Sequence, residues 1–169
     1  MSDSGTPVGS RGRAPGLWLA AALVPGLLLL GCDPAEEGKK AGKHEHRAPH
    51  GGTLVEFGEE FAHLELVLDP AIGRLTGYLL DGEAEGALRL EQAEIRIRVQ
   101  GSPPVPDVVL KALGNPLTGE TPGDSSQFEG QSDALKGRAS FDGAVVKVRV
   151  KGRDFGDVAF AFPMGNEEK

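Results

Sequence analysis

The stretch Phe61-Ala62-His63-Leu64-Glu65-Leu66-Val67-Leu68, followed directly by Asp69-Pro70-Ala71-Ile72-Gly73, decides the fold. Its alternation puts Ala62, Leu64, Leu66 and Leu68 on one face and His63 and Glu65 on the other, the period of two of a half-buried strand. Asp69 to Gly73 carries the Asp, Pro and Gly of a chain reversal, and Arg74 to Leu80 returns as a second strand. The pattern recurs in Glu94 to Val99, with Ile95, Ile97 and Val99 inward and Arg96 and Arg98 in water. It recurs again in Ala144 to Lys151, with Val146, Val148 and Val150 inward and Asp142-Gly143 ahead of it as a hairpin turn signal. Phe155 to Phe162 follows, with Val158, Phe160 and Phe162 on one face, and shorter runs at Thr53–Phe57, Ala87–Leu90 and Val108–Leu113 add further strands. No helical period is sustained; Asp133 to Lys136 has room for one turn, and the Gly/Pro/polar stretch from Gly114 to Ser126 reads as a loop. The expectation is an all-β chain: a single antiparallel β-sandwich of immunoglobulin-like topology over residues 51–163, with a small closed barrel as the alternative, and a short tail at 164–169.

Composition agrees with this class. Among 169 residues, 25 Gly and 12 Pro interrupt any long helix, while 39% hydrophobic and 25% charged residues suit a globular chain. A formal charge of −7 argues against nucleic acid as a partner, because phosphate neutralisation needs a basic surface. A single cysteine excludes an internal disulfide.

That cysteine belongs to the N-terminal segment. Arg11 and Arg13 precede an apolar stretch from Gly16 to Leu30, interrupted by Pro25-Gly26 and short for a spanning helix, which needs about 20 apolar residues. Leu29-Leu30-Gly31-Cys32 resembles the lipobox of bacterial lipoproteins. The resemblance implies that residues 1–31 are a signal peptide, that Cys32 carries a diacylglycerol and an N-terminal acyl group such as palmitate, and that the mature chain faces the periplasm or the exterior. Several acyl chains, at about 0.8 kcal/mol per buried CH₂, suffice for stable membrane attachment. Losing residues 1–31, with Arg11, Arg13 and Asp3, moves the formal charge from −7 to −8. Residues 32–50 contain almost no large apolar side chain and read as a flexible tether.

All four histidines fall between positions 44 and 63, at the junction of this tether with the β-domain. Neutral imidazole is the commonest nitrogen ligand of Zn²⁺ and Cu²⁺. His44 and His46 share a side in an extended chain, and Pro49 disfavours helix at Ala48. Gly51-Gly52 frees the backbone to swing His50 against the sheet, towards the outward face that carries His63 and Glu65. The candidate ligands are therefore His44, His46, His50, His63 and Glu65, converging on one sheet edge. Zn²⁺ or Cu(II) fits this set; Cu(I) would want more sulfur than Met164 and Cys32 offer, and Ca²⁺ would want an oxygen cage.

Pro49-His50-Gly51-Gly52-Thr53-Leu54-Val55-Glu56 and Ala62-His63-Leu64-Glu65-Leu66-Val67 resemble segments of small bacterial periplasmic lipoproteins with a histidine-rich leader. Leu75–Asp81, Ser125–Gly130 and Val148–Phe155 look like later segments of the same family, and the His-Gly-Gly run is similar to the amino-terminal part of periplasmic adaptor subunits of heavy-metal efflux pumps. The resemblance implies metal handling, either buffering, sensing or delivery to efflux proteins. The chain lacks the heptad run of an adaptor's helical hairpin. A non-enzymatic metal-binding lipoprotein is the leading expectation. The competing one is a structural envelope lipoprotein that binds other proteins and makes no use of metal. No nucleophile or phosphate-loop motif points to an enzyme.

Overall fold

The computed structural model describes residues 46–101 and 104–167, so residues 1–31, expected to be a signal peptide, and Cys32 and His44 lie outside the described residues. Among the described residues eight strands form: β1 (Thr53–Phe57), β2 (Ala62–Asp69), β3 (Arg74–Leu80), β4 (Glu94–Val99), β5 (Val108–Ala112), β6 (Gln127–Gln131), β7 (Phe141–Val150) and β8 (Arg153–Phe162). A single 3-10 turn at Asp133–Leu135 sits between β6 and β7, where the sequence left room for one turn.

All strand pairs are antiparallel and join one sheet in the order β1-β2-β3-β6-β5-β4-β7-β8. The all-β, antiparallel expectation holds. The arrangement, however, is one continuous sheet nearly closed into a barrel, where an immunoglobulin-like sandwich would have two sheets. The reason lies in the pairing. β6 inserts between β3 and β5, and β4 takes β7 on its other side, so no gap in hydrogen bonding divides the strands. The right-handed twist of an eight-stranded sheet then curls its edges towards each other. Across the seam between β1 and β8, the Phe57 and Phe155 rings lie 5.5 Å apart.

The enclosed face is apolar: Val55, Phe57, Leu64, Leu66, Ile97, Leu110 and Phe128 are among its fully buried members. Each such side chain stabilises the fold by about 1.5–3 kcal/mol relative to exposure.

Three local expectations are corrected, and one strand that the pattern did not signal is present. Ala87–Leu90 makes only the isolated bridges Leu80↔Ala87 and Leu90↔Ser125, not a strand. β6 escaped the pattern because Gln127, Glu129 and Gln131 leave it just one large apolar side chain, Phe128. Asp142-Gly143 lies inside β7; the hairpin turns instead at Lys151-Gly152, whose φ values of 47° and 80° match the right-handed strand twist. Val146 is only half-buried, whereas Val145, Val148 and Val150 are fully buried. The alternation changes phase between Val145 and Val148, opposite Asp157, which adopts φ 49° between the pairs Val145↔Val158 and Lys147↔Gly156.

Candidate metal centre

Ala62, Leu64 and Leu66 point into the barrel, so His63 and Glu65 point to its outer face, as the alternation requires. Yet both are fully buried rather than solvated. Three segments cover them. The leader from His46 to Gly52 crosses β2; Ala48 packs on Leu54, Leu80 and Ala84 to form a small second core outside the barrel. The turn after β3 supplies the Asp81 carbonyl, which accepts from His63 Nδ1 at 3.1 Å. The chain after β8 turns back across β1, and the Asn166 side chain pairs with both backbone groups of Glu56, at 2.7 and 3.2 Å.

Two close backbone approaches make this covering possible. A Cβ on Gly52 would lie 2.6 Å from the Leu66 carbonyl and 2.9 Å from Glu65 Cγ. One on Gly165, where φ is +82°, would lie 2.2 Å from the Leu54 carbonyl. Only glycine lets the leader and the tail lie this close to the sheet.

The tail delivers Glu167 to the two histidines. Its Oε1 is 3.2 Å from His46 Nδ1 and 3.2 Å from His63 Nε2. The two imidazole rings are 4.6 Å apart at 56°. One ligand atom from each of His46, His63 and Glu167 falls within 4.8 Å of the others, a grouping that can hold a metal ion. Tetrahedral zinc with bonds of about 2.0–2.1 Å separates its ligand atoms by about 3.3 Å, close to the spans to Glu167.

The protonation pattern of His63 follows from its partners. The Asp81 carbonyl can only accept, so His63 Nδ1 carries the hydrogen and the neutral ring's lone pair is on Nε2. That atom is buried, and among the described residues nothing hydrogen-bonds to it; the Glu167 oxygen beside it lies off the hydrogen-bonding direction. A carbonyl that fixes the tautomer and aims the other nitrogen at a carboxylate is the outer shell expected of a metal-ligating histidine. Asp81 itself is well anchored: burial pushes its carboxyl up, but the backbone N–H groups of Gly86, Glu85 and Glu83 and the charge of Lys151 hold it below the ordinary carboxylate value.

Glu65 does something different. Its Oε1 accepts the backbone N–H of His50 and of Gly52, both at 2.8 Å, and its Oε2 accepts from His50 Nδ1 at 2.7 Å. The His50 ring also stacks on Tyr78, with centroids 3.7 Å apart and planes at 11°. The five expected ligands therefore divide. His46 and His63 come together with Glu167; His50 and Glu65 pair with each other, with Glu65 turned to the leader backbone; His44 lies outside the described residues. Glu167 sits in the short tail at 164–169, where no periodicity or motif signals a ligand. It reaches the site only through the fold-back that Gly165 and Asn166 allow.

No protein family, no curated protein and no solved structure matches this chain.

Proposed function

We propose that this protein is a lipid-anchored envelope protein, attached through Cys32, that binds a divalent transition metal, Zn²⁺ or Cu²⁺, at His46, His63 and Glu167. The observation that carries the reading is the buried His63 Nε2: among the described residues it has no hydrogen-bond partner, and it lies 3.2 Å from a carboxylate oxygen. Two electron-rich atoms at that distance in a desolvated place repel each other, and a cation bonded to both reverses the sign of the interaction. Two imidazoles and one carboxylate are a borderline-to-hard donor set, suited to Zn²⁺ and Cu²⁺ rather than Cu(I). Three protein ligands leave a further coordination position for water or for an acceptor's ligand, which suits buffering or delivery to an efflux partner. The lipobox-like Leu29-Leu30-Gly31-Cys32 and the acidic charge support the envelope location and a cationic cargo.

Isothermal titration of the full chain with Zn²⁺ and Cu²⁺ tests this. One equivalent is expected to bind, and Glu167→Gln and His46→Ala are each expected to weaken binding at least tenfold. Equal, weak heats from the intact chain and both variants would overturn the metal reading and leave the structural lipoprotein as the better account.

A further inference from the structure

We infer that His50 is a second, surface metal ligand, which captures the ion and passes it to the buried group; this rests on the metal-binding reading above. The His50 ring is held far more firmly than its place on a half-exposed leader requires. Its Nδ1 donates to Glu65 Oε2 at 2.7 Å, and its face stacks on Tyr78 at 3.7 Å, while its side chain stays 43% exposed.

Holding the leader does not need the imidazole. The backbone N–H groups of His50 and Gly52 both go to Glu65 Oε1, so the contact to Oε2 fixes the ring and not the chain. With Nδ1 donating to a carboxylate, the neutral ring carries its lone pair on Nε2, the edge away from Glu65. A fully buried carboxylate behind a partly exposed imidazole fixes the ring's orientation and tautomer as a ligand. Glu65 is thus a positioning residue, acting through His50.

The position suits transfer. Glu65 and His63 are two residues apart on one face of β2, so the His50–Glu65 pair and the His63 group occupy neighbouring rows, about 6 to 7 Å apart at the strand rise. The His46 side chain is 5% exposed, that of His63 0% and that of Glu167 24%, so an ion arriving from solvent meets the 43%-exposed His50 more readily. The step is a ligand exchange without redox change. The bond from His50 Nε2 to the hydrated ion forms as one water leaves, and then breaks as Glu167 and the buried imidazoles take the ion, with the remaining displaced waters going to solvent.

A relay ligand alters rates and leaves the equilibrium alone. The test follows zinc transfer from a colorimetric chelator to the full chain by stopped flow. His50→Asn keeps an amide N–H where Nδ1 donates to Glu65 but removes the outward Nε2. It is expected to slow zinc uptake at least fivefold, with stoichiometry unchanged and Kd within twofold of the parent. Glu65→Gln is expected to slow uptake similarly, and the double variant no further. In Glu167→Gln, where the buried group is impaired, Cu²⁺ is expected to give an electron paramagnetic resonance signal with nitrogen hyperfine structure that His50→Asn alters. An unchanged uptake rate in His50→Asn overturns the proposal, as does a Kd weakened in proportion to the rate, which would make His50 an equilibrium ligand. A parent chain that takes up no zinc at all overturns the metal-binding reading itself.

Discussion

His46 Nδ1 and Glu167 Oε1 meet at 3.2 Å although 121 positions separate them in the chain. The leader and the tail therefore close over the same point on β2, and an ion held there with His63 cross-links the two ends of the domain. A cross-link spanning about 100 residues removes several kcal/mol of unfolded-chain entropy in the loop-closure picture. At a free metal concentration of about 100 times Kd, linkage predicts about 2.7 kcal/mol of added stability. Differential scanning calorimetry is expected to show Tm rising on the order of 10 °C with Zn²⁺ and falling back on chelation. Glu167→Gln is expected to lose most of that rise.

Asn166 sets where Glu167 lands, because its amide satisfies the N–H and the carbonyl of Glu56 on the edge strand β1. Asn166→Ala removes two hydrogen bonds and leaves both backbone groups to solvent. It is expected to cost about 1–2 kcal/mol in denaturant unfolding and, since Glu167 is no longer held, to weaken metal binding by roughly 10–100-fold. A variant that lost stability but kept full affinity would show that the tail finds its place without Asn166.

Glu65 is fully buried and accepts three hydrogen bonds from the leader. Replacing it with Ala leaves the N–H groups of His50 and Gly52 without their acceptor. The expected loss is about 2–4 kcal/mol, read from the urea midpoint. Hydrogen exchange at Gly52 is expected to speed up more than exchange in β4 or β7, because the leader detaches before the barrel opens.

Acid acts on the carboxylates of Glu120 and Asp81, neither of which is a ligand. Glu120 is held low first by the Ser126 hydroxyl, then by the Thr118 hydroxyl, against the opposing effect of burial, with help from the Ser126 N–H and Arg89. Asp81 is held low against the upward push of burial by the three N–H groups of its turn and by Lys151. Both folded values lie below the ordinary 4.5 and 3.8, so the unfolded chain takes up these protons first as pH falls. Their stabilisation is full above those ordinary values and is lost as pH drops through the lower folded ones. Unfolding free energy from urea titrations is expected to decline below about pH 4.5, and Glu120→Gln is expected to flatten part of that decline.

Local pattern alone set most of the strands and their faces. Period-two alternation is a local property, and β1 to β5 and β8 stand close to where Val, Ile, Leu and Phe alternate with polar residues. It also determined that His63 and Glu65 share a face and that Pro49-His50-Gly51-Gly52 leads the chain back against β2. It did not determine sheet closure, because that depends on β6, whose single large apolar residue leaves a weak pattern, pairing with β3 and β5. Nor could alternation show that an outward face would be covered. Burial of His63 and Glu65 depends on chain ends far away in sequence, and Glu167 becomes a ligand candidate only because a glycine and an asparagine fold the tail onto β1. Alternation and the Pro49-His50-Gly51-Gly52 entry point to five candidate ligands on one edge. Tertiary packing sorted the described four into two neighbouring pairs and added a carboxylate, since hydrogen-bond donors on the leader backbone claimed Glu65 before any ion could.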